Sequence, residues 1–455
     1  MSNTTECPNC RRLQAELEAL KQRVQQLERA LEESLRAGKR QAAPFSKGPP
    51  KADPKPPGRK SGAAYGRHAH RPVPGQVDET YPAPLPTSCP HCGGPVAEEK
   101  TATQYQTEIP RRPRYRRFII HVGRCRQCGR RVQGRHPLQT SDTLGAAQSQ
   151  LGPEAQAAVV QLNKEAGLSY GKVARVLGAA HGVALTRGGA AQVVARAATR
   201  CAPAFAEIRV AVRASPRATA DETGWRVGGR PHWLHAAVTD EATLYLLRQG
   251  RGFAEAAELF GAAYGGQLTH DGWAPYNGFL EARHGTCTAH LLRRCKELLR
   301  VATGGAVRFP RTVQKLLQAG LAARDRREAG KLRGRSLAVA AGRLEARLAR
   351  LLRWTKAHKA NERLAAHLSR HREEVFAYLR HKGLDATNWR AEQALRPAVV
   401  NRKVWGGNRT ERGARTQETL MSVLRTCAQR GRDGLAFLSQ VLRALKGQAP
   451  PLLTT

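Results

Sequence analysis

Between residues 217 and 273 the chain carries a pattern that few architectures can satisfy. Arg217-Ala218-Thr219-Ala220-Asp221-Glu222-Thr223-Gly224-Trp225 reads as a short strand that ends on an acid. Two apolar runs follow, at 231–238 and 243–247, joined by the turn residues Thr239-Asp240-Glu241, so the three segments form a meander. Residues 253–264 read as a helix. Gln267-Leu268-Thr269-His270-Asp271-Gly272-Trp273 is then a fourth strand, which again ends on an Asp. The order is β-β-β-α-β, with Asp221 and Asp271 at two strand ends.

That order is the layout of a ribonuclease H-like core, in which adjacent strand tips converge two carboxylates on one side of the sheet. A third acid is expected from a helix after residues 315–379, an Ala-, Leu- and Arg-rich helical stretch that looks inserted. Asn388-Trp389-Arg390-Ala391-Glu392-Gln393-Ala394-Leu395-Arg396-Pro397 fits. Glu392 and Arg396, four apart, share a helix face until Pro397 interrupts the hydrogen-bond pattern.

What such a core acts on follows from charge. The 455 residues hold 76 Lys and Arg against 36 Asp and Glu, a net +40 that repels itself unless a polyanion is present. Small acidic substrates are thereby disfavoured. At 5% aromatic residues a stacking platform for single strands is not the leading idea, whereas 41% apolar residues can fill several cores and exclude wholesale disorder. No window approaches eighteen apolar residues and the first residues lack the features of a signal peptide, so no membrane partner is expected and the chain reads as cytoplasmic.

Upstream, Leu13, Leu17, Leu20, Val24, Leu27 and Leu31 make a heptad seam between charged and amide residues, read as a coiled coil over 11–36. A helix packing on its own chain is the alternative, since fewer than four heptads is short for autonomous pairing. Residues 37–76 set Lys39, Arg40, Lys47, Lys51, Lys55, Arg59, Lys60, Arg67 and Arg71 among Pro, Gly and Ala, which reads as a flexible basic linker able to lie along phosphates or as a plain solvated tether.

Cysteine usage points to metal. Ten cysteines are too few for a disulfide scaffold in a chain this long, and six of them form Cys-x-x-Cys pairs. Cys89, Cys92, Cys125 and Cys128 supply four thiolates for one structural Zn²⁺, with Gly93 and Gly129 relieving the tight backbone after each pair. The 32 residues between the pairs include a strand-like run at 117–122, so a zinc ribbon with an extended hairpin bearing Arg111, Arg112, Arg114, Arg116 and Arg117 is expected. Four thiolates leave no open position for catalysis. Cys7 and Cys10 form a third pair without a mate. Two parallel coils would bring four such sulfurs together, and free surface thiols are the alternative.

Helices are expected at 154–163, 169–177 and 188–198, with Gly167-Leu168-Ser169-Tyr170 as a turn and N-cap of helix-turn-helix type. A plain helical connector is the competing reading. Cys287 and His290 lie one helical turn apart and could form a thiol nucleophile or a second zinc site, but with no partner acid or second ligand pair a supporting role in the fold is preferred.

Taken in this order, the N-terminal coil, basic linker, zinc-binding segment, Ala220-Asp221-Glu222-Thr223-Gly224-Trp225, His270-Asp271-Gly272-Trp273-Ala274-Pro275-Tyr276 and the Glu392 motif resemble the DDE transposases of the insertion-sequence-66 group over nearly the whole chain. Cys287-Thr288-Ala289-His290 is similar to that group's C-x-x-H segment, and Arg402-Lys403-Val404-Trp405 with the glycine-containing 406–413 to its R-K-x-W stretch. Gln393, where many relatives have Arg, and Asn408-Arg409-Thr410, in place of the commoner Gly-Ser, are departures that leave the acids intact.

The resemblance implies that Asp221, Asp271 and Glu392 are the acidic triad holding two Mg²⁺, with Asp221 bridging them. It implies cleavage of transposon ends in double-stranded DNA, joining of the 3′ ends to target DNA, a homo-oligomer, and accessory proteins from the same element. An isolated Asp or Glu is usually only solvated, and it is the three together that favour catalysis. Arg293, Arg294, Arg396, Arg402 and Lys403 read as phosphate contacts, against plain solvated charge. The fold expected is α/β multidomain: coiled coil with Cys-x-x-Cys at 1–36, linker at 37–76, zinc ribbon at 77–136, helix-turn-helix-like DNA-binding region at 137–205, ribonuclease H-like core at 206–430 with a helical insertion at about 300–385, and a C-terminal helix and tail at 431–455. The rival reading is a non-catalytic zinc-containing DNA-binding protein or regulator derived from a transposase.

Overall fold

The computed structural model describes residues 8–39, 74–82, 84, 86–88, 90–97, 103–105, 113–139, 141, 144, 150–353, 356, 358–444 and 448–453. Most of the expected basic linker, Cys7, Cys89, Arg111 and Arg112 lie outside these residues, as do the side chains of Cys10 and Leu31. The chain divides into two compact units, Met1–Ile109 and Pro110–Thr455. Among the described residues no helix is long and apolar enough to cross a membrane.

In the first unit helix α1 runs without a break over Pro8–Lys39, and Leu13, Leu17, Leu20, Val24 and Leu27 along it are each 50–62% exposed. The Cys-x-x-Cys turn after residue 89 places Gly93 at φ +74°, a left-handed conformation that glycine adopts without a Cβ clash.

The second unit opens with an antiparallel pair, β1 (Val122–Arg124) and β2 (Arg131–Gln133). This hairpin encloses the second cysteine pair, and the Gly134 amide donates to the His121 carbonyl at 2.9 Å just beyond it; part of the stretch between the two pairs lies outside the described residues. Helices α2 (Pro153–Lys164), α3 (Tyr170–His181), α4 (Arg187–Arg200) and α5 (Ala202–Ala214) follow. Ser169 caps α3 by accepting from the Lys172 amide, the cap expected from sequence, and Thr186 caps α4 by accepting from the Gly189 amide.

Five strands form the central mixed sheet: β3 (Arg217–Val227), β4 (Arg230–Val238), β5 (Thr243–Arg248), β6 (Gln267–His270) and β7 (Arg283–Thr286). Their order is β5-β4-β3-β6-β7, with β3, β4 and β5 antiparallel and β6 and β7 parallel to β3. Gly228 and Gly229, at φ +57° and +78°, form the two-residue turn that joins β3 to β4, where both positions need positive φ. Helix α6 (Phe253–Phe260) supplies the crossover to β6 and is four residues shorter than the sequence suggests, because the chain leaves the helix at Gly261.

After β7 come α7 (Thr288–Val301), α8 (Arg308–Glu328), α9 (Gly334–Leu352), α10 (Lys359–Arg370) and the short α11 (Ala377–Arg380). These helices bury an apolar cluster of their own, including Leu291, Phe309, Leu316, Leu344, Leu368 and Tyr378. Helix α12 (Trp389–Trp405) returns to the sheet, followed by α13 (Glu411–Gln429) and α14 (Gly434–Arg443). Pro397 does not interrupt α12, contrary to the expectation from sequence: the helix runs through it, with Ala391, Ala394, Leu395 and Ala398 packed against Trp225, Leu234 and Ala236.

Both faces of the sheet are covered, which accounts for the unbroken apolar runs of β4 and β5. One face meets α12 through that cluster, and the other joins α2 to α6, α13 and α14 in a single core. The edge strand β5 is closed by side chains. Thr426 Oγ1, Ser422 Oγ and Glu418 Oε1 of α13 accept from the amides of Thr243, Tyr245 and Leu247 at 3.1, 2.9 and 2.6 Å. Two strand residues advance about 6.7 Å and four helical residues about 6 Å, so a helix laid along an edge can match alternate amides.

Candidate active site

The last pair between β3 and β6 is Thr219 with Thr269. Two residues further on come Asp221, on the same face of β3 as Thr219 because side chains alternate with period two, and Asp271, one residue past the end of β6. Asp221 therefore does not end its strand as expected; β3 continues to Val227 against β4, and it is the parallel neighbour that stops. There the charge of Asp271 is near enough to act on the Asp221 carboxyl.

Glu392 reaches the same place from the first turn of α12. That turn is tied to β3 by Asn388, fully buried, whose Nδ2 donates to the Ala220 carbonyl at 3.3 Å. Burial, then the charges of Glu222, Asp271 and Glu392, push the Asp221 carboxyl up to about 8. Asp271 Oδ1 accepts from the Trp273 amide at 2.9 Å, which fixes its side chain over the turn at Gly272.

An imidazole and several arginines border this group. His290 Nε2 lies 3.5 Å and Arg293 3.8 Å from Glu392 Oε1, and burial with the Arg293 charge holds His290 below its usual pKa. Arg402 lies 3.4 Å from Thr223 Oγ1, one position beyond Asp221 on the same face of β3. Arg293, Arg294 and Arg396 are exposed, Arg402 and Lys403 half-buried. On the other face, Glu222 is buried and accepts from Arg251 Nε at 2.7 Å and Tyr276 OH at 2.7 Å, and the Arg251 guanidinium is stacked between Trp273 and Trp233.

The donor set fits hard divalent cations: three carboxylates, one on β3, one just after β6 and one in the first turn of α12, with the proton affinity of the first raised by burial and by the others. Among the described residues no three His, Cys, Asp or Glu side chains are already drawn close enough to enclose an ion.

Sequence reasoning missed three contributors. His290 was assigned to the fold, yet Cys287 forms the N-cap of α7 and so turns His290, at the third helical position, toward α12. Asn388 and Glu222 stand inside the quoted strings, but their partners, the Ala220 carbonyl and Arg251, lie far along the chain and cannot be read from spacing. The departure at Asn408-Arg409-Thr410 proves structural: Asn408 Oδ1 accepts from Trp225 Nε1 at 2.8 Å, and Thr410 caps α13.

At the second cysteine pair, Gly129 takes φ +67°, its amide donates to the Cys125 carbonyl, and the Cys125 amide donates to the Arg130 carbonyl, each at 2.9 Å. Backbone amides of Cys128 and Gln127 lower the Cys125 thiol pKa, favouring thiolate.

A helix-wrapped mixed sheet of this kind, with acids gathered at the end of its parallel strands, is consistent with the core of a transposase. A family model described as "Transposase IS66 family" matches residues 148–416, more than half the chain and all of the sheet and acids above. The chain belongs to that family. A comparison with curated proteins returns no match.

Proposed function

We propose that this chain is a DNA transposase that cleaves the ends of a mobile element and joins the freed 3′ ends to target DNA, with Asp221, Asp271 and Glu392 as ligands of two Mg²⁺. On this reading residues 206–430 are a ribonuclease H-like DDE core. The observation that supports it is that Asp221, two residues past the last β3–β6 pair, is acted on by the charges of Asp271, just after β6, and Glu392, in the first turn of α12. Bound there, two divalent cations would stabilise charge on the attacking and leaving oxygens.

The chain's own groups do the rest. Arg293, Arg294, Arg396, Arg402 and Lys403 hold phosphates beside the acids, Arg402 from within the site and the exposed arginines from its rim. His290 and Arg293 restrain Glu392. Helices α3 and α4 are read as the helix-turn-helix-like DNA-binding region, and α1 as a coiled coil that pairs chains. The structural Zn²⁺ assigned to Cys89, Cys92, Cys125 and Cys128 rests on the two Cys-x-x-Cys spacings and the turn at Cys125. Accessory proteins of the element and a nucleoid-associated, cytoplasmic setting belong to the same reading.

The test is end cleavage and strand transfer by Asp221→Asn, Asp271→Asn and Glu392→Gln, each checked for folding by thermal melting. Each is expected to lose about a thousandfold or more in rate, since metal stabilisation is worth several kcal/mol. A variant that keeps full activity removes that acid from the ligand set.

A further inference from the structure

β6 ends at His270, which is fully buried, and three hydrogen bonds connect the turn after it to β7 and its approach. The Gly272 amide lies 3.1 Å from His270 Nδ1, His270 Nε2 lies 3.1 Å from His284 Nδ1, and His284 Nε2 lies 2.9 Å from the Phe279 carbonyl oxygen. Only one placement of protons satisfies all three. An amide N–H can only donate, so His270 Nδ1 is bare and its hydrogen sits on Nε2. A carbonyl can only accept, so His284 carries its hydrogen on Nε2 and accepts at Nδ1. The middle bond therefore runs from His270 to His284, and both rings are neutral.

The resulting chain has a direction, and it begins on the amide of the residue that follows Asp271. That residue, Gly272, sits at φ +87°, and a Cβ there would come within 2.8 Å of His367 Cε1 on α10, so its backbone is confined on the opposite side as well. The next amide, of Trp273, donates to Asp271 Oδ1. Two successive amides are thus fixed, one to His270 and one to the acid itself.

The alternative acceptor for His270 Nε2 is Glu374, at 4.0 Å, but its oxygens already accept from Thr286 Oγ1 at 2.6 Å and pair with His371 Nδ1 at 2.8 Å. The His270 ring packs at 5.0 Å from Tyr276, which holds Glu222 beneath the acids.

We infer that His270 and His284 are positioning residues for Asp271: the hydrogen-bond chain from the Gly272 amide to the Phe279 carbonyl fixes the turn that aims the Asp271 carboxylate at the metals. This rests on the metal-site reading above. Groups behind a metal ligand commonly change affinity by about 10- to 100-fold when removed. Neither imidazole needs to touch metal or DNA.

The test uses the full-length chain without DNA and Mn²⁺ as the probe, with free Mn²⁺ read by electron paramagnetic resonance and folding by thermal melts in chelator. His270→Phe and His284→Phe are expected to weaken Mn²⁺ binding about tenfold or more. His270→Asn, which keeps an acceptor near the Gly272 amide, is expected to stay within about threefold of the parent. Equal weakening by Phe and Asn at position 270, or none by any variant, overturns the inference. Asp271→Ala separates the two ideas: if it leaves Mn²⁺ binding unchanged the metal-site reading fails, and if it alone weakens binding only the positioning role fails. Should the Phe variants not fold, ¹⁵N-histidine spectra of the parent decide, because both rings must be neutral with hydrogen on Nε2, and a cationic or Nδ1-protonated ring at either position overturns the chain.

Discussion

Asp221 sits among neighbours that oppose its charge, and this has a stability consequence in the metal-free chain. Its carboxyl is raised from the ordinary 3.8 to about 8, so the folded state binds that proton more tightly than the unfolded state. The contribution is fully present below about pH 4 and is lost as pH rises through 8, a matter of a few kcal/mol. In chelator, Asp221→Asn is expected to melt higher than the parent at pH 8, with the difference shrinking toward pH 5, while losing activity. Lys164 has the opposite sign. It is buried, hydrogen-bonded to Gln417 Oε1 at 2.5 Å and stacked over Trp405, and burial pulls it from 10.5 to about 7. The unfolded chain binds more protons between those values, so stability from this residue rises with pH from about 7 to 10. Lys164→Met is expected to raise the melting temperature at pH 7 and to flatten that rise, read by melts of both proteins across pH 7–10. Sequence singles out Asp221, Asp271 and Glu392 because each sits in a distinctive string. It does not reveal the roles of His290, Asn388 and His284, since what they do depends on which way a helix or strand turns them toward a residue more than ten positions away.

Strands were legible where two faces are buried, as in β4 and β5, because burial on both sides forces apolar runs that no surface strand needs. Helix α12 was legible in position but not in extent. A proline removes one amide and crowds the turn before it, yet packing of four small or apolar side chains on β3 and β4 holds the helix together beyond Pro397. The closure of β5 by α13 could not be read at all, because Thr426, Ser422 and Glu418 look like ordinary polar residues of a surface helix until the edge strand is laid beside them. It is testable: Ser422→Ala leaves the buried Tyr245 amide without its acceptor and is expected to cost about 1–3 kcal/mol in chemical denaturation. The same change at an exposed helical serine would be close to neutral, so a loss below about half a kcal/mol would show that the edge is satisfied otherwise.

For the molecule as a whole, the exposed seam of α1 and the +40 charge set its behaviour in solution. A narrow stripe of five exposed apolar residues at heptad spacing is covered when two such helices pair. Leu20→Glu with Leu27→Glu is therefore expected to reduce the mass measured by sedimentation to that of one chain, while the parent sediments as an oligomer at the same concentration; an unchanged mass would assign oligomerisation elsewhere.

The arrangement of α2 and α14 carries a different kind of consequence. Helix α2, early in the second unit, completes its core against α13, α14 and the fully buried Leu452, and Glu207 of α5 accepts from the amides of Leu452 and Leu453. During synthesis the first helices of this unit must wait, with their apolar faces uncovered, until nearly three hundred further residues have emerged. A chain released early by a truncated message lacks that closing segment. A core closed in this way cannot be assembled in chain order: α2 stays incomplete until the segment around Leu452 reaches it.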